Sequence, residues 1–330
     1  MDHFQICPVT SYYQRLLLPV SYSLVFLLGL SLNGALLWCV CRRRHRWSST
    51  VIYLTNLAVA DLLYVLSLPA LIISNAMGGL WPFGNLLCKS VRFFFLVNLH
   101  CSMMFLACIS VHRFIGVCFP IAAVRIRTRN VARFASGSVW ILATTEIVPT
   151  LVFAHTGVIN NRTVCFEMTD PAQFNAYFPY GLFLTIVGFL IPFLIVTTCY
   201  LSMMKVLYCR AADSICNAST ARMRNKSLCT LLAVCSMFVV CFVPYHVART
   251  VYLLVRVYRP EDCELVNVVM ICFKVWKPVV SFNSCANPLL YFLGSGSHRQ
   301  KVRAWLWRRR KRVQPSVCVL EAGSTNRSGG

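Results

Sequence analysis

Asn287-Pro288-Leu289-Leu290-Tyr291 lies near the end of an apolar stretch running from about residue 264 to 293, so an amide, a proline and a phenol are embedded among apolar neighbours. Working back along the chain, Asp61 and Arg113 sit inside two further stretches of the same kind, at about residues 51 to 77 and 86 to 118. Four more run at about 16 to 41, 132 to 155, 174 to 208 and 227 to 258. As helices rising about 1.5 Å per residue, all seven are long enough to cross a hydrocarbon core of about 30 Å. Ionisable groups inside such spans are costly and mark positions that work. The chain is therefore predicted to be an all-α membrane protein, a bundle of seven transmembrane helices.

Composition points the same way. Hydrophobic residues make up 58%, charged residues 13%, and mean hydropathy is +0.64, far more apolar than a soluble domain of this length. Seven crossings put the termini on opposite sides. Lys and Arg number 32 against 10 Asp and Glu, a net charge of +22, and 22 of those cations fall in 42–47, 125–133, 205–226 and 294–330. Cationic loops stay in the cytosol, which predicts an N-terminus outside and a C-terminus in the cytosol; the plasma membrane is the membrane expected. The charge is then topological, with no nucleic-acid partner implied. Three regions follow: an extracellular tail at 1–15, the seven-helix domain at 16–293, and a cytoplasmic segment at 294–330. Met1 to Gln14 has neither a basic start nor a cleavage site of small residues, so the first span is expected to act as its own insertion signal. Ser295 to Arg312 reads as an amphipathic eighth helix, with Val302, Trp305 and Leu306 on one side and basic residues around them, lying on the lipids of the anionic inner leaflet. Val313 to Gly330 reads as a disordered tail, in which Cys318 is a candidate for palmitoylation.

Of 18 cysteines, Cys7, Cys88, Cys165 and Cys263 would face the oxidising side. Three pairings are open to them, and the one favoured joins Cys88 to Cys165 and Cys7 to Cys263. Asn161-Arg162-Thr163 is a glycosylation sequon on the same outer loop as Cys165.

Arg92, His246, Arg249, Lys274 and Lys277 lie in the outer parts of the third, sixth and seventh spans, which hold no carboxylate within two helical turns to pair with them. Buried unpaired cations are costly, so an anionic partner is expected. His246 and Arg249 are three residues apart, as are Lys274 and Lys277, which puts each pair on one helix face. Converging cations suit a diphosphate or triphosphate. Tyr64, Phe95, His100 and Tyr245 are candidates to stack on or hydrogen-bond a base or ribose, though aromatic residues in helices also form core. Lys89 and Arg256 serve equally well as residues snorkelling to headgroups. The third span has no carboxylate near Phe95 for an amine ligand, and no lysine stands near Ser281 for a retinal. No metal-ligand cluster and no nucleophile with a positioned base stands out, so the chain is not expected to be an enzyme. An anion channel or transporter is disfavoured because no internal repeat is evident.

Asn33, Asp61, Arg113, Trp140, Pro192, Pro244 and Pro288, one marker per span in order, resemble the rhodopsin-like (class A) G-protein-coupled receptors. His112-Arg113-Phe114 stands where that family commonly has Asp-Arg-Tyr, and Cys241-Phe242-Val243-Pro244 where it has Cys-Trp-x-Pro. Both departures occur in the metabotropic nucleotide receptors, the purinoceptors, whose signatures resemble Trp81-Pro82-Phe83, Cys88-Lys89-Ser90-Val91-Arg92-Phe93, His246-Val247-Ala248-Arg249-Thr250 and Lys274-Val275-Trp276-Lys277-Pro278. Asn161 to Cys165 and Pro179-Tyr180-Gly181 are most similar to the UDP-preferring members. Lys277 stands in place of a usual Arg, Leu96 in place of a common aromatic, and Arg249 is shared with triphosphate-preferring relatives, so UDP, UTP and ADP all stay open.

That resemblance implies a receptor for extracellular nucleotides, with uridine nucleotides foremost, signalling through Gq, phospholipase C and calcium. A receptor for another anionic ligand, such as a lysophospholipid or carboxylate, is the alternative. The resemblance also implies an allosteric sodium pocket of Asp61, Ser102, Asn283, Ser284 and Asn287, with Asn287 departing from the Asp found in most nucleotide receptors, and no other cofactor. It further implies a switch in which Arg113 meets the G protein once the sixth helix swings out, aided by Phe242, Pro244, Asn287, Pro288 and Tyr291. His112 cannot make the carboxylate pair that usually restrains Arg113, so a weaker inactive-state lock is expected.

Overall fold

The computed structural model describes residues 12–42, 47–159, 161–212 and 232–294. Among them, seven helices are long and apolar enough to cross a membrane: α1 (Arg15–Arg42), α2 (Ser49–Ala76), α3 (Gly84–Cys118), α4 (Arg129–Phe153), α5 (Pro171–Val206), α6 (Leu232–Tyr258) and α7 (Cys263–Tyr291). Hydrocarbon offers the backbone no partner, so a crossing chain closes its N–H···O bonds within helices. Each expected span is present, and the ends that fall among the described residues lie within a few residues of those expected. The amphipathic segment Ser295 to Arg312, the tail, Cys7 and Cys318 lie outside the described residues.

α3 is the axis of the bundle. It packs on α2, α4 and α5, and 72% of its most apolar window is buried, against 28% for α1 and α5. Large apolar side chains such as Leu27, Phe134, Ile141 and Leu201 point outward, as a helix bathed in lipid requires. Caps hold the loop ends: Ser48 accepts from the Val51 N–H at the start of α2, and Thr128 from the Val131 N–H at the start of α4.

Proline sets the irregularities. Its ring removes a donor and collides with the carbonyl four residues back. In α5 a π-helical turn at Ile186–Leu190 precedes Pro192, and in α6 another at Phe238–Phe242 precedes Pro244. The wider turn accommodates the missing bond. α7 breaks at Phe282 ahead of Pro288, and α2 breaks at Leu66 and Ser67 ahead of Pro69. The distortions that accompany Pro192, Pro244 and Pro288 thus take two forms, a π turn and a break.

Between α4 and α5 the chain forms an antiparallel hairpin of β1 (Thr156–Ile159) and β2 (Arg162–Cys165), with Thr156 opposite Cys165. Asn161 takes a φ of 60° at its turn, a conformation Asn tolerates better than most residues. The Cys88–Cys165 disulfide fastens the hairpin to the start of α3. The Trp81 N–H donates to the Thr163 carbonyl and the Thr156 N–H to Asn85, which lays the hairpin across that end of the bundle. Cys263 is also disulfide-bonded, and Cys7, its expected partner, lies outside the described residues.

Candidate functional site

Beneath the hairpin lies a cavity of about 340 Å³ bounded by α1, α2, α3, α5, α6, α7 and the segment after β2. Its charged lining residues are Arg92, Arg256, Lys274 and Lys277 against the single carboxylate of Glu167, so the wall carries an excess of positive charge. Lys274 and Lys277 share a face of α7, as their spacing requires. The Lys277 side chain is 7% exposed, and its Nζ stands 3.2 Å from Glu167 Oε1, 5.6 Å from the centre of the Phe95 ring and 5.4 Å from that of Phe273. Arg92 lies near the hairpin end of α3, where it donates to the Cys165 and Phe166 carbonyls at 3.1 Å each and so braces the hairpin.

Glu167 was not among the expected residues. It comes from the loop after β2, where no periodicity points a side chain inward. Burial raises its carboxyl, but Lys277, Lys274 and Arg92 together outweigh that and hold it down at about 2. The carboxylate missing from the helices is therefore supplied by the loop, one negative charge among several positive ones.

Below the cavity the aromatic residues close ranks. Phe95 packs between Tyr64 and Tyr245, with ring centres 5.5 and 6.0 Å away, and Tyr245 lies 5.7 Å from Phe273. Only about 20 Å³ of space remains here, lined by Phe95, Tyr245 and Arg249 among others, room for one water. Arg249 is engaged by its neighbours, donating to the Tyr177 hydroxyl at 2.9 Å, the Gly181 carbonyl at 3.0 Å and the Thr185 hydroxyl at 3.1 Å. Tyr64 and His246 line neither space. Tyr64 shares a 2.7 Å hydrogen bond with Ser281, and His246 is stacked on Phe189 at 4.3 Å with no hydrogen-bond partner for either ring nitrogen. His100 is bound elsewhere: its Nδ1 is 2.6 Å from Glu146 of α4, and it lines neither space. Its expected place beside a base or ribose is thus corrected, because helical spacing alone does not say which neighbour a side chain meets.

Midway down, Asp61 is fully buried and accepts from Asn98 at 2.8 Å and from Asn287 at 3.0 Å. The Ser284 hydroxyl donates to Asn98 at 3.3 Å. Asn98, which was not among the expected residues, therefore joins Ser284 to Asp61, and Asn287 bonds Asp61 directly. Ser102 is buried one turn further along α3 from Asn98, a spacing that could have found it, and Asn283 is buried next to Ser284. The Ser102 hydroxyl and the Oδ1 atoms of Asn283 and Asn287 are buried without hydrogen-bond partners. A carboxylate with unpartnered neutral oxygens nearby is the donor set a hard cation takes.

At the end of the bundle opposite the hairpin, His112 is not left without a polar partner. Its Nε2 accepts from Arg127 Nε at 3.2 Å, which leaves the proton on Nδ1, 3.5 Å from the Thr50 hydroxyl. Arg113 next to it has a buried Nε without a hydrogen-bond partner. Phe242 and Tyr291 are buried, and Pro244 stands in the first turn of the regular helix that follows the π turn of α6.

The family of seven-transmembrane receptors of the rhodopsin type matches residues 32–291. The chain is 37% identical to purinoceptor 3 of Gallus gallus over 314 residues, covering 95% of both proteins. It is 40% identical to purinoceptor 4 of Homo sapiens over 291 residues, 88% of this chain and 78% of that one. It is 39% identical to purinoceptor 6 of Rattus norvegicus over 296 residues, 89% and 90% of the two.

Proposed function

We propose, for a chain that belongs to the rhodopsin family of seven-transmembrane receptors and within it to the purinoceptors, that its ligand is an extracellular nucleotide and that uridine nucleotides are preferred. It is a multi-pass membrane protein that transmits a signal and is not an enzyme. The observation that carries the ligand reading is the cavity in which Arg92, Lys274 and Lys277 surround one carboxylate. Phosphate oxygens arriving there would replace part of that compensation, with Arg supplying a fork and Lys a compact charge. Phe95, Tyr245 and Arg249 form the floor beneath them, and Tyr64 supports that floor through its contact with Phe95, as His246 does through Tyr245.

The hairpin end faces outside in this reading. The disulfide there requires an oxidising compartment, and the cationic loops fall at the other end. Asn161, at the hairpin turn, is then accessible for glycosylation. Arg113, beside a His112 already occupied by Arg127, meets a G protein of the Gq class when α6 moves outward, and phospholipase C and calcium follow. Asp61, Ser102, Asn283, Ser284 and Asn287 would hold a sodium ion that favours the inactive arrangement, and the unpartnered oxygens of Ser102, Asn283 and Asn287 support that assignment.

The test is intracellular calcium in cells expressing the full chain, challenged with UDP, UTP, ADP, ATP and a lysophosphatidic acid, with Lys277→Ala and Arg92→Ala alongside. A uridine-nucleotide response that both substitutions weaken by about tenfold or more is expected, since each removes a charge-assisted bond of about 1.5–3 kcal/mol. A receptor at the cell surface that answers only the lysophospholipid would overturn the reading.

A further inference from the structure

We propose that the base of the ligand is read between α1, α2 and α7, with Asn75 as the residue that reads its edge and Tyr22 beside it. The proposal rests on the nucleotide reading above and says where in the cavity the part that distinguishes one nucleotide from another sits.

Three observations direct the base there. The phosphate-binding cations fix one end of the ligand at Lys274, Lys277 and Arg92. From that point the way down is shut, because the space over Phe95 and Tyr245 amounts to about 20 Å³ and admits no heterocycle. The way toward α5 and α6 leads to rings already engaged: Phe174 carries the Arg256 guanidinium 4.9 Å from its centre, and Tyr252 is stacked on Phe273 at 5.6 Å and 4°. The remaining arm runs toward α1 and α2. Leu18, Leu71 and Met270 give it apolar walls for the faces of a flat ring, while Tyr22 and Asn75 supply polar groups for an edge.

Asn75 is suited to that edge by the bond it already makes. Its Nδ2 donates to the Leu71 carbonyl at 2.7 Å, one turn back along α2, which fixes the orientation of the amide. One N–H and the Oδ1 acceptor remain. Together they supply a donor for the O4 acceptor and an acceptor for the N3–H donor of a uracil ring. Gly78 and Gly79 follow closely, with φ of 71° and 92°, and the Gly79 N–H donates to the Ser74 carbonyl at 2.8 Å. This turn closes α2 just past Asn75, so the amide stands at a fixed helix end.

The experiment compares UDP with its 3-methyl derivative, in which the N3–H is replaced by a methyl group, on the full-length receptor and on Asn75→Ala, by calcium response and with surface expression measured. In the unmodified receptor, methylation is expected to lower potency about tenfold or more, the worth of one good hydrogen bond plus a steric clash. In Asn75→Ala, UDP itself weakens and the methylation penalty collapses to less than about threefold, because the partner of N3–H is gone and the methyl group has room. Asn75→Ser serves if Asn75→Ala fails to reach the surface, and Tyr252→Leu should keep the full penalty. A penalty unchanged in the Asn75 variants, or abolished instead by Tyr252→Leu, overturns the base assignment while leaving the nucleotide reading intact. Silence of the unmodified receptor to UDP and every other nucleotide overturns both.

Discussion

Glu167 and His112 are the two side chains whose neighbours change what their position would suggest. Glu167 supplies the only negative charge in the cavity lining among the described residues, and its half-buried carboxyl is held at about 2 by three cations. A carboxylate with a depressed folded pKa stabilises the protein above its ordinary value of 4.5, and that contribution is lost as pH falls toward 2. The thermal-stability advantage of the wild type over Glu167→Gln in detergent should accordingly be present at about pH 5 and shrink as the pH falls from there toward about 2. An advantage that does not shrink over that acid range would contradict the depressed carboxyl of Glu167. The same substitution raises the net charge of the cavity by one, so the UTP-to-UDP potency ratio should rise about two- to fivefold, the scale of a partly exposed charge pair. At the opposite end, His112 accepts from Arg127 where an aspartate would make charge-assisted bonds. His112→Asp is expected to lower basal signalling at equal surface expression, and an unchanged basal level would show that this position does not restrain Arg113.

Among the helices, α3, α4 and α5 are joined at a point the cavity does not reach. His100 of α3 is 1% exposed and bonded to Glu146 of α4, while the Tyr180 hydroxyl of α5 donates to the Glu146 carbonyl at 3.0 Å and shares a 2.7 Å bond with Thr150. A Cβ placed on Gly188 would collide with the His100 ring, so the π turn of α5 can lie where it does only with glycine at that position. Gly188→Ala should destabilise the receptor by about 1–3 kcal/mol through overpacking, read as a fall in melting temperature. In a His100→Ala background, which clears the ring, the same change should cost much less, a coupling that a double-mutant cycle measures directly. Equal costs in the two backgrounds would mean that the ring and the turn do not touch.

For the molecule as a whole, the hairpin is the roof of the cavity and one disulfide anchors it. The Cys88–Cys165 bond spans 77 residues and includes all of α4, so cutting it frees a long loop in the unfolded chain as well as the roof. Cys88→Ser is expected to cost about 2–5 kcal/mol and to reduce both surface expression and the nucleotide response. A receptor fully expressed and fully responsive without that bond would show that the hydrogen bonds of Arg92, Trp81 and Asn85 to the hairpin and its following loop hold the roof without the disulfide.

The sequence by itself determined the seven spans and the face shared by Lys274 and Lys277, because apolar length and 3.6-residue periodicity are properties of a segment read alone. It narrowed the outer cysteines to three pairings, since the side of the membrane each one meets is also set by its segment, and the bond between Cys88 and Cys165 selects among them. The cluster around Asp61 was legible only through family resemblance, one marker per helix. Only the tertiary structure decided that Glu167 reaches Lys277 from a loop, that Asn98 joins Asp61, that His100 turns to Glu146, and that Arg127 occupies His112. It also decided that the aromatic floor is packed shut and that space opens toward α1 and α2 instead. Each of these depends on how two elements distant in sequence are set against each other, and a polar side chain in a loop or on a helix flank carries no periodic signal that names its partner.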